Sequence, residues 1–160
     1  LVRVGFGTDS HGFEDSISKP LILGGVKLSE NGGLRANSDG DVILHALFNA
    51  ISQACGGRSL GFYADPLLEK GVTDSARYLV AALDLVKERN CRIHNIGIMV
   101  EARRPRIPLA DIDRMRRTIA GLVGIHERDV GITFTSGEGL TSFGRGEGML
   151  AQAVVSLVEG

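Results

Sequence analysis

The chain has no surplus of charge, no long apolar run, few cysteines and no internal repeat, and each absence narrows what it can do. Its 160 residues carry 18 Lys and Arg against 19 Asp and Glu. That near-balance gives no general field for nucleic acid or an anionic membrane surface, and leaves room for a local basic cluster. No stretch approaches the roughly 20 apolar residues of a membrane span, and no signal peptide is visible. Cys55 and Cys91 lie far apart and form no C-x-x-C pair, so two plain thiols in a reducing compartment are expected. A bacterial cytoplasm fits. The sequence opens on Leu1 rather than Met, so a trimmed N-terminus is expected, and a plastid stroma if a transit peptide was removed. No linker or low-complexity tract divides residues 1–160, a length that suits one domain.

What is present includes 22 glycines, which favour tight loops and close backbone approaches. Residues 1–8 alternate as a first strand, with Val2, Val4 and Phe6 on one face. Residues 20–28 read as a hairpin around Gly24-Gly25. The centre of the chain is N-S-D-G-D-V-I-L-H-A-L from Asn37 to Leu47. Ser38 followed by Asp41 is a Ser-x-x-acid helix start, which predicts Ser38 as the cap. Val42, Ile43, Leu44, Leu47, Phe48 and Ile51 give this helix a wide apolar face, and Gly56-Gly57 stops it. Residues 58–71 lack a period and predict a long surface loop. A second helix over 74–89 is capped by Asp74, and a strand follows over 92–100 with His94 on the parity of Ile96, Ile98 and Val100. A third helix covers 108–122, and strands are expected at 130–135 and 149–158, the last buried on both faces. The order is that of an α/β fold, a mixed sheet with helices packed on one face and βαβ-type units.

Three side chains stand out chemically. Asp9 and His11 are two apart at a strand end, so both point to one side. His45 lies one turn into a buried helix. Such a histidine is either a core residue bonded to a carbonyl or a metal ligand beside an anion held at the helix start. Together the three offer a carboxylate and two imidazoles, and three protein ligands leave a fourth zinc position open. Asp41, four residues before His45, is a candidate for orienting its ring. Arg103, Arg104 and Arg106, the Thr135-Ser136 strand end and the helix N-terminus suit phosphate groups and are expected next to the metal cluster. Glu138 can hold an oxygen-loving cation such as Mg²⁺. The residues alone lead to metal-assisted phosphoryl transfer.

The strings R-V-G-F-G-T-D-S-H, S-D-G-D-V-I-L-H-A-L and G-R-G-E-G occur in this order, and with them the chain resembles the 2-C-methyl-D-erythritol 2,4-cyclodiphosphate synthases along nearly all its length. The resemblance implies a homotrimer with active sites between subunits, working in the non-mevalonate route to isoprenoids. It implies a phosphorus–oxygen lyase that turns 4-diphosphocytidyl-2-C-methyl-D-erythritol 2-phosphate into the 2,4-cyclodiphosphate and CMP. Asp9, His11 and His45 match the Zn²⁺ ligands, and Glu138 the residue that holds Mg²⁺ or Mn²⁺ on the substrate diphosphate. Ser38 matches a phosphate contact. From the neighbouring subunit, Ala102, Arg103, Arg104, Pro105, Arg106, Ile107 and Pro108 match the cytosine enclosure, with Arg106 at a usual lysine. Thr135 meets the diphosphate, and Ser136 stands at a usual catalytic threonine. Arg145 matches an arginine of a central cavity that accommodates isoprenoid diphosphates.

Three positions depart from the family pattern. Asn37 stands at a usual histidine beside the phosphates, Asn49 at a usual aspartate, and Arg58 near the aspartate that takes the ribose hydroxyls. A guanidinium has only donors and cannot accept from a hydroxyl. These departures keep two other readings in view. One is a relative with the same metal centre acting on another nucleotide diphosphate; the other is a non-catalytic trimer that binds an isoprenoid diphosphate.

Overall fold

The alternating and helical stretches condense, in a computed structural model that describes residues 1–15 and 18–160, into a four-stranded sheet, a separate hairpin and four helices. In chain order the elements are β1 (Val2–Gly12), β2 (Leu21–Leu23), β3 (Val26–Ser29), α1 (Val42–Ala54), α2 (Leu60–Glu69), α3 (Ser75–Glu88), β4 (Cys91–Glu101), α4 (Leu109–Val123), β5 (Val130–Thr135) and β6 (Gly148–Glu159). The sheet runs β1-β6-β4-β5. β6 pairs antiparallel with β1 and β4, while β4 and β5 run parallel. Parallel neighbours need a crossover, and α4 supplies it. The sheet is mixed, with a βαβ unit at one edge.

One face of the sheet is covered and the other is open. α1 lies against β1 and β6, α3 against β4, and α4 against β5. Ile96, Ile98 and Val100 of β4 and Ala151, Ala153, Val155 and Leu157 of β6 are buried beneath these helices. Val2, Val4, Phe6, Met99 and Val154 point the other way and keep between 41% and 63% of their surface. The pattern of β6 predicts burial on both faces; it is buried on one, because none of the described elements covers the second. His94 also departs from its predicted parity. A bulge between Ile93 and Asn95 shifts the register, which buries Ile93 and turns His94 outward.

The tightest packing is between β1 and α1. A Cβ on Gly5 would stand 1.9 Å from the Ala50 carbonyl oxygen, and one on Gly7 2.1 Å from that of Ala46. No side chain fits there, so the helix backbone lies directly on the strand. Ala46, Ala50 and Ala54 recur every four residues on that side of the helix. Leu44, Leu47, Phe48 and Ile51 are buried in the core, each contributing about 1.5–3 kcal/mol.

Two local predictions are corrected. α1 begins at Val42, and its cap is Asp41, whose carboxylate accepts from the Leu44 N–H at 3.0 Å. Ser38 is not the cap, because the chain turns at Gly40 (φ 77°) and the Ser38 hydroxyl accepts from the Gly40 N–H instead. The buried Asp41 carboxylate also accepts from the N–H groups of Gly24 and Gly25 at 2.9 and 2.7 Å, which ties the hairpin to α1. The predicted loop over 58–71 holds α2. Gly61 and Pro66 hide its period, and tertiary contacts hold it. Asn49 Oδ1 accepts from the Leu60 N–H at 2.9 Å, and the Tyr63 ring sits 5.4 Å from that of Phe48.

The strand–helix contact gives a first prediction. Gly7→Ala should lower stability by about 2–3 kcal/mol, since the group it meets is backbone that can yield only by moving the helix. Gly121→Ala in α4, where an added Cβ meets nothing within 4 Å, should be neutral or raise stability by about 0.5–1 kcal/mol. Urea unfolding of the two variants checks both.

Candidate active site

The inward parity that seats Gly5 and Gly7 under α1 continues along β1 to Asp9 and His11. With α1 laid on those glycines, His45 in its first turn comes over the same two side chains. Asp9 Oδ2 is 2.9 Å from His11 Nε2 and 3.1 Å from His45 Nδ1, and those two ring nitrogens are 3.4 Å apart. One carboxylate oxygen and two imidazole nitrogens within 4.8 Å of one another form a donor set that fits a divalent cation. Burial pushes the Asp9 carboxyl up, but hydrogen bonds from His11 and His45 outweigh it and hold it at about 2. Asp9 is a ready anion.

Behind the ring, His45 Nε2 is 2.8 Å from the hydroxyl of Ser75 and 3.4 Å from that of Ser38. Ser75 donates from its hydroxyl to Asp39 Oδ1 and from its N–H to Asp39 Oδ2 at 2.9 Å. Asp41 does not orient this ring, contrary to its spacing. A cap side chain folds back onto the free N–H groups of its own helix end, and Asp41 serves those of Leu44, Gly24 and Gly25. The cavity at the cluster is about 160 Å³, lined by Asp9, His11, Asn37, Ser38, His45 and Tyr78 and roofed by Leu60, Gly61, Ala64, Asp65 and Leu68 of α2.

A second polar cavity, about 330 Å³, is lined by Arg103, Ser136, Glu138, Gly139 and Gly144. It is built by the turn after β5. Gly137, Glu138 and Gly139 have φ of 77°, 52° and 74°, and a Cβ on Gly137 would meet the Gly144 Cα at 2.7 Å. Two loops therefore pack backbone to backbone, with Ser136 Oγ 3.2 Å from the exposed carboxylate of Glu138. Ala102 N–H bonds the Thr135 carbonyl at 2.9 Å and Arg103 N–H that of Phe143 at 3.1 Å. Arg103, Arg104, Pro105, Arg106 and Pro108 are exposed, with Ala102 and Ile107 half-buried. Arg104 lies over the Phe13 ring at 3.9 Å. The exposed Arg145 contacts Glu147 at 3.4 Å and Ser142 at 3.2 Å.

The structure keeps these two groups apart. None of residues 102–108, Thr135, Ser136 or Glu138 lines the metal cavity, contrary to the expectation that they adjoin it. β1 carries the metal donors on one edge of the sheet and β5 leads to the Glu138 turn on the other, three strand spacings or roughly 14 Å apart. A larger cavity of about 750 Å³ lies where α3, β4 and α4 meet, among Lys87, Cys91, His94 and His126. It contains none of the three metal donors.

The model of the YgbB family matches residues 2–158. The chain belongs to the YgbB family. It is 44% identical over 161 residues to a 2-C-methyl-D-erythritol 2,4-cyclodiphosphate synthase of Chlamydia abortus, covering 99% of this chain and 90% of that protein. The enzyme of the same name from Chlamydia muridarum is also 44% identical, over 99% and 89%. Among solved structures, the bifunctional IspDF from Campylobacter jejuni matches with a TM-score of 0.88 at 34% identity, over 98% of this chain and 42% of that longer one. The CDP complex of IspF from Plasmodium falciparum matches at 0.83 and 27%, over 99% and 96%.

In this YgbB-family chain, three candidate metal donors read from the sequence converge, with Asn37 and Ser38 at the same cavity, while Ser75 and α2 beside them carried no sequence signal. Nothing in the spacing relates Ser75 to His45, thirty residues away, and the stretch expected to be a surface loop holds α2, which lines the cavity. For the metal-free protein, the Asp9 shift predicts a pH effect. Its folded value of about 2 lies below the ordinary 3.8 of an unperturbed aspartate, so the stabilisation is present above pH 4 and lost as pH falls through 2. Metal-free wild type should therefore lose about 2 kcal/mol more than Asp9→Ala across that window, read by denaturant unfolding at each pH.

Proposed function

We propose that this chain is a 2-C-methyl-D-erythritol 2,4-cyclodiphosphate synthase, a CMP-releasing phosphorus–oxygen lyase of the non-mevalonate isoprenoid route, formed by residues 1–160 as one domain. The observation that carries the reading is the convergence of Asp9, His11 and His45 in a YgbB-family chain. In the reaction, an oxygen of the 2-phosphate attacks the β-phosphorus of the diphosphate. The bond from that phosphorus to the bridging oxygen breaks, and CMP leaves with the oxygen. Because the attack is intramolecular, the protein's tasks are to fold the substrate back on itself and to neutralise charge.

The two-nitrogen, one-carboxylate set favours Zn²⁺, which when bound supplies Lewis acidity toward a phosphate oxygen. Ser38 and Asn37 face the same cavity and donate hydrogen bonds to phosphate. Asn37 donates without becoming a cation, so it supplies less charge than a histidine would. Glu138 is an all-oxygen donor suited to Mg²⁺ or Mn²⁺. Ser136 and Arg103 beside it suit the diphosphate, the rest of residues 102–108 the cytosine, and α2 above the metal donors limits access of water.

The working assembly in this reading is a homotrimer. The open apolar face with Val2, Val4, Phe6, Met99 and Val154 supplies a surface for further copies of the chain. A metal cavity of about 160 Å³ is also too small for a nucleotide substrate, since ligand pockets run from about 300 Å³. A neighbouring copy that brings its Glu138 turn to the β1 edge supplies the missing half. Arg145, on the loop leading into β6, would then line a central cavity able to take an isoprenoid diphosphate. The two free cysteines accord with a reducing cytoplasm or stroma. Among the described residues, no helix is long and apolar enough to cross a membrane.

CMP release from the cytidyl substrate with zinc and magnesium, with ³¹P NMR of the product, tests the activity. A cyclic diphosphate signal is expected from wild type, reduced at least a hundredfold in His45→Ala and Glu138→Ala, in line with the loss of several kcal/mol of charge stabilisation. No cyclic product from a folded, zinc-loaded protein would contradict the reading.

A further inference from the structure

The hydrogen bonds behind His45 form a chain whose proton positions are forced. Three donors converge on the two oxygens of Asp39. These are the Ser75 N–H at 2.9 Å on Oδ2, and the Asp41 N–H at 3.0 Å and the Ser75 hydroxyl on Oδ1. A carboxylate has no proton to return, so the single hydroxyl proton of Ser75 points at Asp39. Toward His45 Nε2, 2.8 Å away, the Ser75 oxygen can then only accept. The ring hydrogen must sit on Nε2. With one hydrogen fixed on Nε2, Nδ1 is the ring nitrogen left for a metal ion to take, and it faces Asp9 Oδ2 and His11 Nε2.

Two observations separate this chain from ordinary helix capping. The cap of α3 is Asp74, which accepts from the Ala76 N–H at 2.9 Å, so the Ser75 hydroxyl is not needed to start that helix. Ser75 and His45 are also buried, with 2% and 5% of their surface exposed, so water does not readily replace a lost partner. Ser38, 3.4 Å from the same nitrogen, is too distant to compete.

We infer that Ser75 and Asp39 are positioning residues, which hold His45 in the Nε2–H tautomer and aim Nδ1 so that the site is preset for a divalent metal ion. The inference rests on the reading of Asp9, His11 and His45 as a metal centre. It links the turn before α1 and the first turn of α1 to the first residue of α3, thirty and more residues away. Partners of this kind set the ring's orientation and basicity, and their loss weakens metal binding by about ten- to a hundredfold.

The test is zinc affinity of the full chain by competition with a chromogenic chelator, paired with ¹⁵N-edited imidazole NMR of the zinc-loaded protein. Ser75→Ala should bind zinc roughly ten- to a hundredfold more weakly and lose a slowly exchanging His45 Nε2–H signal, with its metal-free fold intact by circular dichroism. Asp39→Asn puts a donor where an acceptor oxygen stood and should weaken zinc in the same direction, which decides the matter if Ser75→Ala does not fold. Ser75→Thr keeps the hydroxyl and should restore both readouts. Wild-type zinc affinity in both Ser75→Ala and Asp39→Asn overturns the inference while leaving the metal centre standing. A wild type that binds no zinc overturns the metal centre and the inference together.

Discussion

The contact on which the rest depends is the backbone-to-backbone approach of α1 to β1. A helix resting on side chains would sit several ångströms higher, and His45 would hang clear of Asp9 and His11. Gly5 and Gly7 remove the obstacle, and the same strand parity then carries Asp9 and His11 to the end of the helix. One stretch of β1 thus performs two tasks in sequence. Its first half fixes the height of the helix and its second half supplies donors to the site that height creates. Asp41 fixes the helix at that end, since its carboxylate serves the first free N–H of α1 and two N–H groups of the hairpin turn.

The energetic stakes fall unevenly over this arrangement. The core under α1, α3 and α4 is aliphatic and buried, with each large side chain contributing a few kcal/mol, so the platform is stiff. The polar groups above it are few, paired and expensive to leave unpaired. Asp9 is held as an anion by two histidines, Asp39 accepts hydrogen bonds from three donors, and no buried side-chain polar atom among the described residues lacks a hydrogen bond. The Glu138 side is different. Its cavity is lined by exposed Arg103, Ser136, Glu138 and Gly139, the last two with left-handed backbone, which suits a surface completed by something outside the chain.

Much of this was legible in the sequence, and what was not has identifiable causes. Strand parity placed Asp9 and His11 together, helical spacing gave α1, and the three ordered strings pointed to the family that the YgbB match establishes. The mixed sheet and its βαβ unit followed from element order. The cap was misassigned because Ser38 and Asp41 both satisfy a capping pattern, and the turn at Gly40 decides between them. α2 was hidden because Gly61 and Pro66 lower its local propensity, while the contacts that hold it, from Asn49 and Phe48, come from another helix. β6 looked doubly buried because its second face carries Leu150, Val154 and Val158, which belong to the open sheet face rather than to the chain's own core. The role of Ser75 was invisible for the simplest reason: a single hydroxyl carries no periodicity, and its partners are thirty and more residues away.

The proposed site draws on two edges of one sheet, and that proposal makes a quantitative demand on assembly. It is tested most directly by mixing His45→Ala and Glu138→Ala chains, each inactive alone, through unfolding and joint refolding. If His45 of one copy works with Glu138 of the next, random equal mixing leaves about a quarter of the intersubunit sites intact, and CMP release should recover to about a quarter of the wild-type rate. No recovery from a mixture that refolds into trimers would mean that both residues act within a single copy, and the shared site would be wrong.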